Sequence, residues 1–239
     1  MDHVRRARIA AAIAEAAGGE GPPIRLCHVC QAAVDVVAAS GVSLSVVGDL
    51  GFGETVCATD ATSEHTSELQ TILGVGPAID ALTDGDPVQV ADVSWPSTAH
   101  RWPRLDAALS PLGVVALFAF PLIVADITVG VLELYRTRPG PLTGSEVADA
   151  KVFAEAAAEL MVVSGLGEPG GPDDLLLGPL DTQWAMINQA VRVVSVQLHG
   201  GLPDAYLRLR AYAYLSGRRL RHTAEAVLAG DLRFAPDRW

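Results

Sequence analysis

The stretch SGLGEPGGPD, residues 164–173, puts four glycines and two prolines within ten positions. Proline lacks the amide that a helix interior or a central strand requires, and glycine loses more backbone freedom on ordering than any other residue. No regular element runs through such a segment, so it reads as a linker. It divides the chain into residues 1–163 and 174–239, and each part must find its own core. With 239 residues, half of them hydrophobic, the chain has material for two cores and does not belong to the disordered class.

Before the break two periodicities alternate. Residues 4–17 and 24–40 repeat their apolar positions at helical spacing. VSLSVVG (42–48) and ETVCATD (54–60) are short, β-branched and bounded by glycine, so they are expected to be strands joined by the tight turn DLGFG. SELQTILG is expected to be a helix with Ser67 as its N-cap, followed by turn chemistry and a further helical piece in GVGPAIDALTDG. VQVADV (88–93) reads as a strand. Only Ala125 and Asp126 separate the long strands VVALFAFPLIV and ITVGVLELYR, which predicts a hairpin, with Pro121 marking an edge or a bulge. TGSEVADAKVFAEAAAELMVV predicts a helix opened by Thr143 or Ser145. Five or six mostly antiparallel strands flanked by helices define an α+β domain.

After the break only helical periodicity remains. Ile187, Ala190, Val191, Val194 and Leu198 form one apolar stripe. HGGLPD interrupts it, and Pro203 or Asp204 is expected to start a second helix with the stripe Ala205, Leu209, Tyr212, Ala213 and Ser216. After SGRR, a third stripe holds Leu220, Ala224, Val227 and Leu228. Alanines at the contact positions predict three closely packed helices.

Charge divides along with the pattern. The formal charge is -11, yet residues 184–239 carry eight basic and four acidic groups against nine basic and 24 acidic in residues 1–183. A cationic end on an anionic chain suits a polyanion partner, and it equally suits an ordinary solvated basic face. Sixteen arginines against the single Lys151 reflect the composition of the whole chain rather than one site.

Three cysteines, an odd number, point to a reducing cytoplasm rather than a disulfide framework. Cys27 and Cys30 in CHVC lack the second pair that a tetrahedral metal site requires, and Asp80, Asp84 and Asp86 lack the rest of a calcium loop, so no metal or cofactor is expected. No apolar run is long enough to span a membrane, and the basic N-terminus reads as an amphipathic helix. Neither a nucleotide-binding glycine loop nor a nucleophile elbow appears, and no enzymatic activity is expected.

Two resemblances emerge from these segments. INQAVRVVSVQL, PDAYLRLRAYAY and GRRLRHTAEAVLAGDL resemble an ANTAR domain, the three-helix RNA-binding module of bacterial antitermination regulators. The family's small alanines fall on Ala190, Ala205, Ala213 and Ala224, and its aromatic falls on Tyr206. GVGPAIDALTDGDPVQVADV, the WP at 95–96, GVVALFAFPL and GVLELYRTRPGPL resemble a GAF domain. Val191 and Arg192 stand where many ANTAR sequences have Lys or Thr followed by Gly, and Ala78 stands where related GAF segments carry Cys.

The resemblances imply a GAF-like sensory domain at 1–163 and an ANTAR domain at 174–239 that binds RNA stem-loops and prevents transcription termination. Arg192, Tyr206, Arg208, Arg210, Tyr214, Arg218, Arg219 and Arg221 are the candidate RNA-binding residues. Guanidinium groups bond phosphates in pairs and stack on bases, and tyrosines suit the unpaired bases of a loop. An unidentified small molecule at the GAF-like domain, a homodimer and a cytoplasmic location are also implied. The alternative is a sensor whose helical tail only dimerises or docks on another protein, with Leu207 and Tyr214 facing outward.

Overall fold

The computed structural model describes residues 2–18, 24–48, 53–163 and 181–235. The linker at 164–173 and most of the DLGFG turn lie outside the described residues.

Two helices, α1 (Asp2–Ala16) and α2 (Leu26–Val36), lead into a sheet. Its strands are β1 (Gly41–Val47), β2 (Gly53–Ala58), β3 (Val88–Val90), β4 (Ala116–Val124) and β5 (Ile127–Arg136). They lie in the order β2-β1-β5-β4-β3, and every pair is antiparallel. VQVADV yields only three strand residues. The β4–β5 hairpin turns on Ala125 and Asp126, both at positive φ (47° and 65°), the twist that a two-residue hairpin loop requires. Pro121 sits one residue before a register shift in the β4–β5 ladder and beyond the reach of β3, which ends opposite Leu117–Ala119. There its missing amide costs the sheet little.

The pleat sends alternate side chains to opposite faces. Val42, Leu44, Phe118, Phe120, Leu132 and Leu134 pack against α1, α2 and α7 (Gly144–Val163), where Ile9, Leu26 and Phe153 complete the main core. The other face places Leu117, Ala119, Val131 and Tyr135 beneath α4 (Pro77–Asp84) and α6 (Leu105–Leu109). Between these two helices runs α5 (Pro96–Arg101), and a short 3-10 turn follows at Ser110–Leu112.

The remaining helix on this face, α3 (Ala61–Leu73), corrects an expectation. Ser67 is not an N-cap but lies mid-helix and is buried. Asp60 caps the helix instead, accepting the Ser63 amide at 2.7 Å, while the Ser63 hydroxyl returns to the Asp60 amide at 3.2 Å. At α7 the two candidates resolve to Thr143, whose hydroxyl accepts the Glu146 amide while Glu146 accepts the Thr143 amide.

The cysteines give a second correction. Cys27 on α2 and Cys57 on β2 are joined in a disulfide, and only Cys30 is free. Burial pushes the Cys30 thiol up to about 12, so it behaves as a small core hydrophobe.

The tail folds on itself as α8 (Asp181–Leu198), α9 (Leu202–Ser216) and α10 (Leu220–Ala229). Its core holds Ile187, Ala190, Val191, Val194, Ala205, Leu209, Ala213, Leu220, Ala224 and Val227, the stripes read from the sequence. Leu198 and Leu228 are half-buried at its margin, and Ser216 is exposed.

Candidate functional site

The helix α3 is polar on almost every side, yet Ser63, Thr66, Ser67, Glu68, Gln70 and Thr71 are all buried. A buried polar side chain is tolerated only where it is hydrogen-bonded, so this helix must have polar partners on two sides. The structure supplies them for Ser67, Glu68 and Gln70 from the sheet below and the tail above.

Toward the sheet, three hydroxyls form a triangle. Ser45 of β1 and Thr55 of β2 are 3.2 Å apart, and Ser67 lies 3.0 Å from the first and 2.8 Å from the second. Beside them the Gln70 amide donates to Glu133 of β5, and the Gln70 carbonyl accepts the Ala78 amide at 2.9 Å. Glu133 is 3% exposed. Its Oε2 and the Thr66 hydroxyl have no hydrogen-bond partner. Burial raises the Glu133 carboxyl from 4.5 to about 7, and the Gln70 bond offsets only part of that rise. A carboxyl that burial favours in its neutral form therefore sits under the middle of α3. At the start of the helix, Tyr135 donates to Asp60 at 3.2 Å.

Toward the tail, α3 meets α9 and α10 through charge. Arg219 donates from Nη2 to Glu64 at 2.7 Å and from Nε to Glu68. The second oxygen of Glu68 accepts the Leu220 amide at 2.5 Å, so this carboxylate caps the N-terminus of α10. Burial pushes the Glu68 carboxyl upward, opposed by Arg219 and the Leu220 amide. Arg210 donates to the Ile72 carbonyl from Nε (3.3 Å) and Nη2 (2.9 Å), placing a cation at the negative end of the α3 dipole. Gly74 ends α3 with φ +71°, and a Cβ there would come within 2.7 Å of Arg210 Nη2. Asn188 of α8 donates to Glu54 of β2 at 3.1 Å.

The candidate RNA-binding residues separate into two groups. Arg192, Arg208, Tyr214 and Arg218 are exposed. Gly217, with φ +64°, ends α9 and turns Arg218 out of the helix. The others are buried or half-buried. Tyr206 is 1% exposed and belongs to the tail core, so its ring is a packing element rather than a base platform, and burial pushes its hydroxyl upward. Arg210 is buried 5.5 Å over the Tyr206 ring, and Arg219 is held by the two glutamates. Arg221 is half-buried, and its buried Nε has no hydrogen-bond partner. For Arg210 and Arg219 the cause is one the tail sequence does not contain, since α3 covers that side of the bundle.

Among the described residues no group of three or more His, Cys, Asp or Glu is placed to hold a metal, and no helix is long and apolar enough to cross a membrane. Asp80 is engaged by Arg101 at 2.7 Å and by the Trp102 indole at 3.0 Å.

A GAF-domain family profile matches residues 25–160 and so ends within α7. No curated protein matches the chain. Among solved structures, the GAF domain of a phosphoenolpyruvate-protein phosphotransferase from Coxiella burnetii is 16% identical. That match covers 69% of this chain and 97% of that one with a TM-score of 0.50. The corresponding domain from Acinetobacter is 12% identical over 69% and 95% of the two chains, with a TM-score of 0.51. A domain of a two-component sensor histidine kinase from Sinorhizobium meliloti is 20% identical over 58% and 88%, with a TM-score of 0.48. At these identities the two phosphotransferase domains speak to the fold alone.

Proposed function

The chain belongs to the GAF domain family through residues 25–160, and from that premise we propose that it is a regulator whose helical tail binds RNA stem-loops and opposes transcription termination. The GAF domain acts as its sensor. The observation that carries this reading is the exposed set Arg192, Arg208, Arg218 and Tyr214, displayed by a three-helix tail whose buried alanines match the ANTAR pattern. Arginine forks bond phosphates in pairs, and an exposed phenol ring stacks on an unpaired base, contributing on the order of 1–3 kcal/mol. The protein acts by binding rather than by catalysis.

The test uses the full chain and a labelled RNA carrying two short hairpins. Replacing Arg208 and Arg218 by Ala should weaken binding about tenfold and lower the salt dependence of log K by roughly 1 to 2. An unchanged affinity and slope would remove these residues from the interface.

A second reading has one observation in its favour. Leu207, Tyr214 and Leu215 on α9 are 59%, 38% and 83% exposed, an apolar face suited to a second copy of the tail or another protein. Light scattering of the full chain separates the two readings: a dimer with no affinity for hairpin RNA favours the docking tail, and a dimer that binds RNA favours the regulator.

A further inference from the structure

We propose that the docked tail is a self-masked state, in which Glu64 and Glu68 on α3 occupy the guanidinium faces of Arg219 that an RNA phosphate would otherwise take. This rests on the RNA-binding reading above and adds how that surface is withheld and released.

The fit is that of a substitute ligand. An arginine fork directs its paired N–H groups at an anion, and carboxylate and phosphate satisfy it with the same geometry. Glu64 and Glu68, four residues apart on one face of α3, take Arg219 from two directions. Arg210, the next cation along this side of the tail, is spent on the Ile72 carbonyl. Three sensor carboxylates, Glu54, Glu64 and Glu68, thus receive donors from the tail.

The contact is also built to open. Ile72 is the only sensor residue in the buried core of the tail, among the described residues. With so little apolar surface shared, the polar contacts carry the docking, and a polyanion that supplies equivalent acceptors to Arg219 can replace them. The adjoining flank of the same helix carries Ser67 and Gln70, bonded to the sheet cluster around Glu133. A shift of α3 on the sheet therefore moves both glutamates relative to Arg219. A binding surface populated only in the open state has its apparent affinity reduced by the open fraction, so removing the mask tightens binding without adding any contact to RNA.

The experiment compares the full chain with E64Q/E68Q, measuring affinity for the two-hairpin RNA and hydrogen exchange at the Leu220 amide. An equal change of charge at two exposed positions, D84N/D86N, serves as the control. The expected result is faster exchange at Leu220 and RNA affinity about tenfold tighter, ~1.4 kcal/mol, with the control within about twofold of the parent. Faster exchange with unchanged affinity overturns the mask and leaves the RNA reading standing. An equal gain in the control overturns it as well, because general charge then explains the gain. Failure of both the parent and the undocked variant to bind any hairpin RNA brings down the RNA reading, and the mask with it. Should E68Q disturb folding, E64Q alone preserves the test with about a threefold gain expected, and no gain overturns the proposal.

Discussion

Glu133 shows how one residue can hold chemistry that its neighbours hide. Its flanks on β5, Leu132 and Leu134, face the main core, while its own side chain joins Gln70 on the polar side. Because burial raises its carboxyl from 4.5 to about 7, the native state holds a proton that the unfolded chain releases in this window. Stability therefore falls as pH rises from about 4.5 to about 7, by on the order of 3 kcal/mol. Glu133→Gln should abolish that fall while leaving the fold intact, as read from urea midpoints across the same range. A slope unchanged in the variant would show that another group carries it. Glu133 was legible in principle, as a lone acid in a strand whose same-face neighbours Val131 and Tyr135 are apolar. Its partner was not, because Gln70 lies 63 residues away and only the packing of α3 on the sheet brings the two together.

At the scale of elements, what could be read depended on whether an element is organised by its own periodicity. The stripes of α8, α9 and α10 are readable because helical spacing determines which face is buried. Strands β4 and β5, buried on both faces over most of their length, are instead readable as long apolar runs parted only by Ala125 and Asp126. For α3 the sequence marks too short a helix, because its buried face is polar and no apolar stripe shows where it begins. The short helices α5 and α6, at Pro96–Arg101 and Leu105–Leu109, offer too few turns for any period to show. Asp60 bears on the placement of α3 twice, as N-cap and as acceptor for Tyr135. Asp60→Ala should lower stability by about 1–2 kcal/mol, measured by urea unfolding. A loss below a few tenths would mean that the sheet alone positions this helix.

The whole molecule is a polar helix between two cores. The sheet and its flanking helices form one, α8 to α10 form the other, and α3 belongs by chain to the first while lending Ile72 to the second. The cationic residues of the tail were legible as a group. Which of them face solvent was not, since that depends on a contact spanning about 150 residues between Glu68 and Arg219. Its ion pairs are only 5–20% exposed, so salt screens them in part and the interface should weaken modestly as salt rises. In calorimetry the tail should melt at progressively lower temperature as salt rises, while the sensor transition stays in place. A single transition indifferent to salt would show that the two cores unfold as one body.

The Cys27–Cys57 bond has a practical corollary. It consumes two of the chain's three sulfhydryls, and the third, Cys30, is walled into the core. The native surface therefore offers no natural attachment point for a maleimide dye. A cysteine introduced on the tail becomes a unique handle, through which the distance from tail to sensor can be followed in an otherwise unaltered protein.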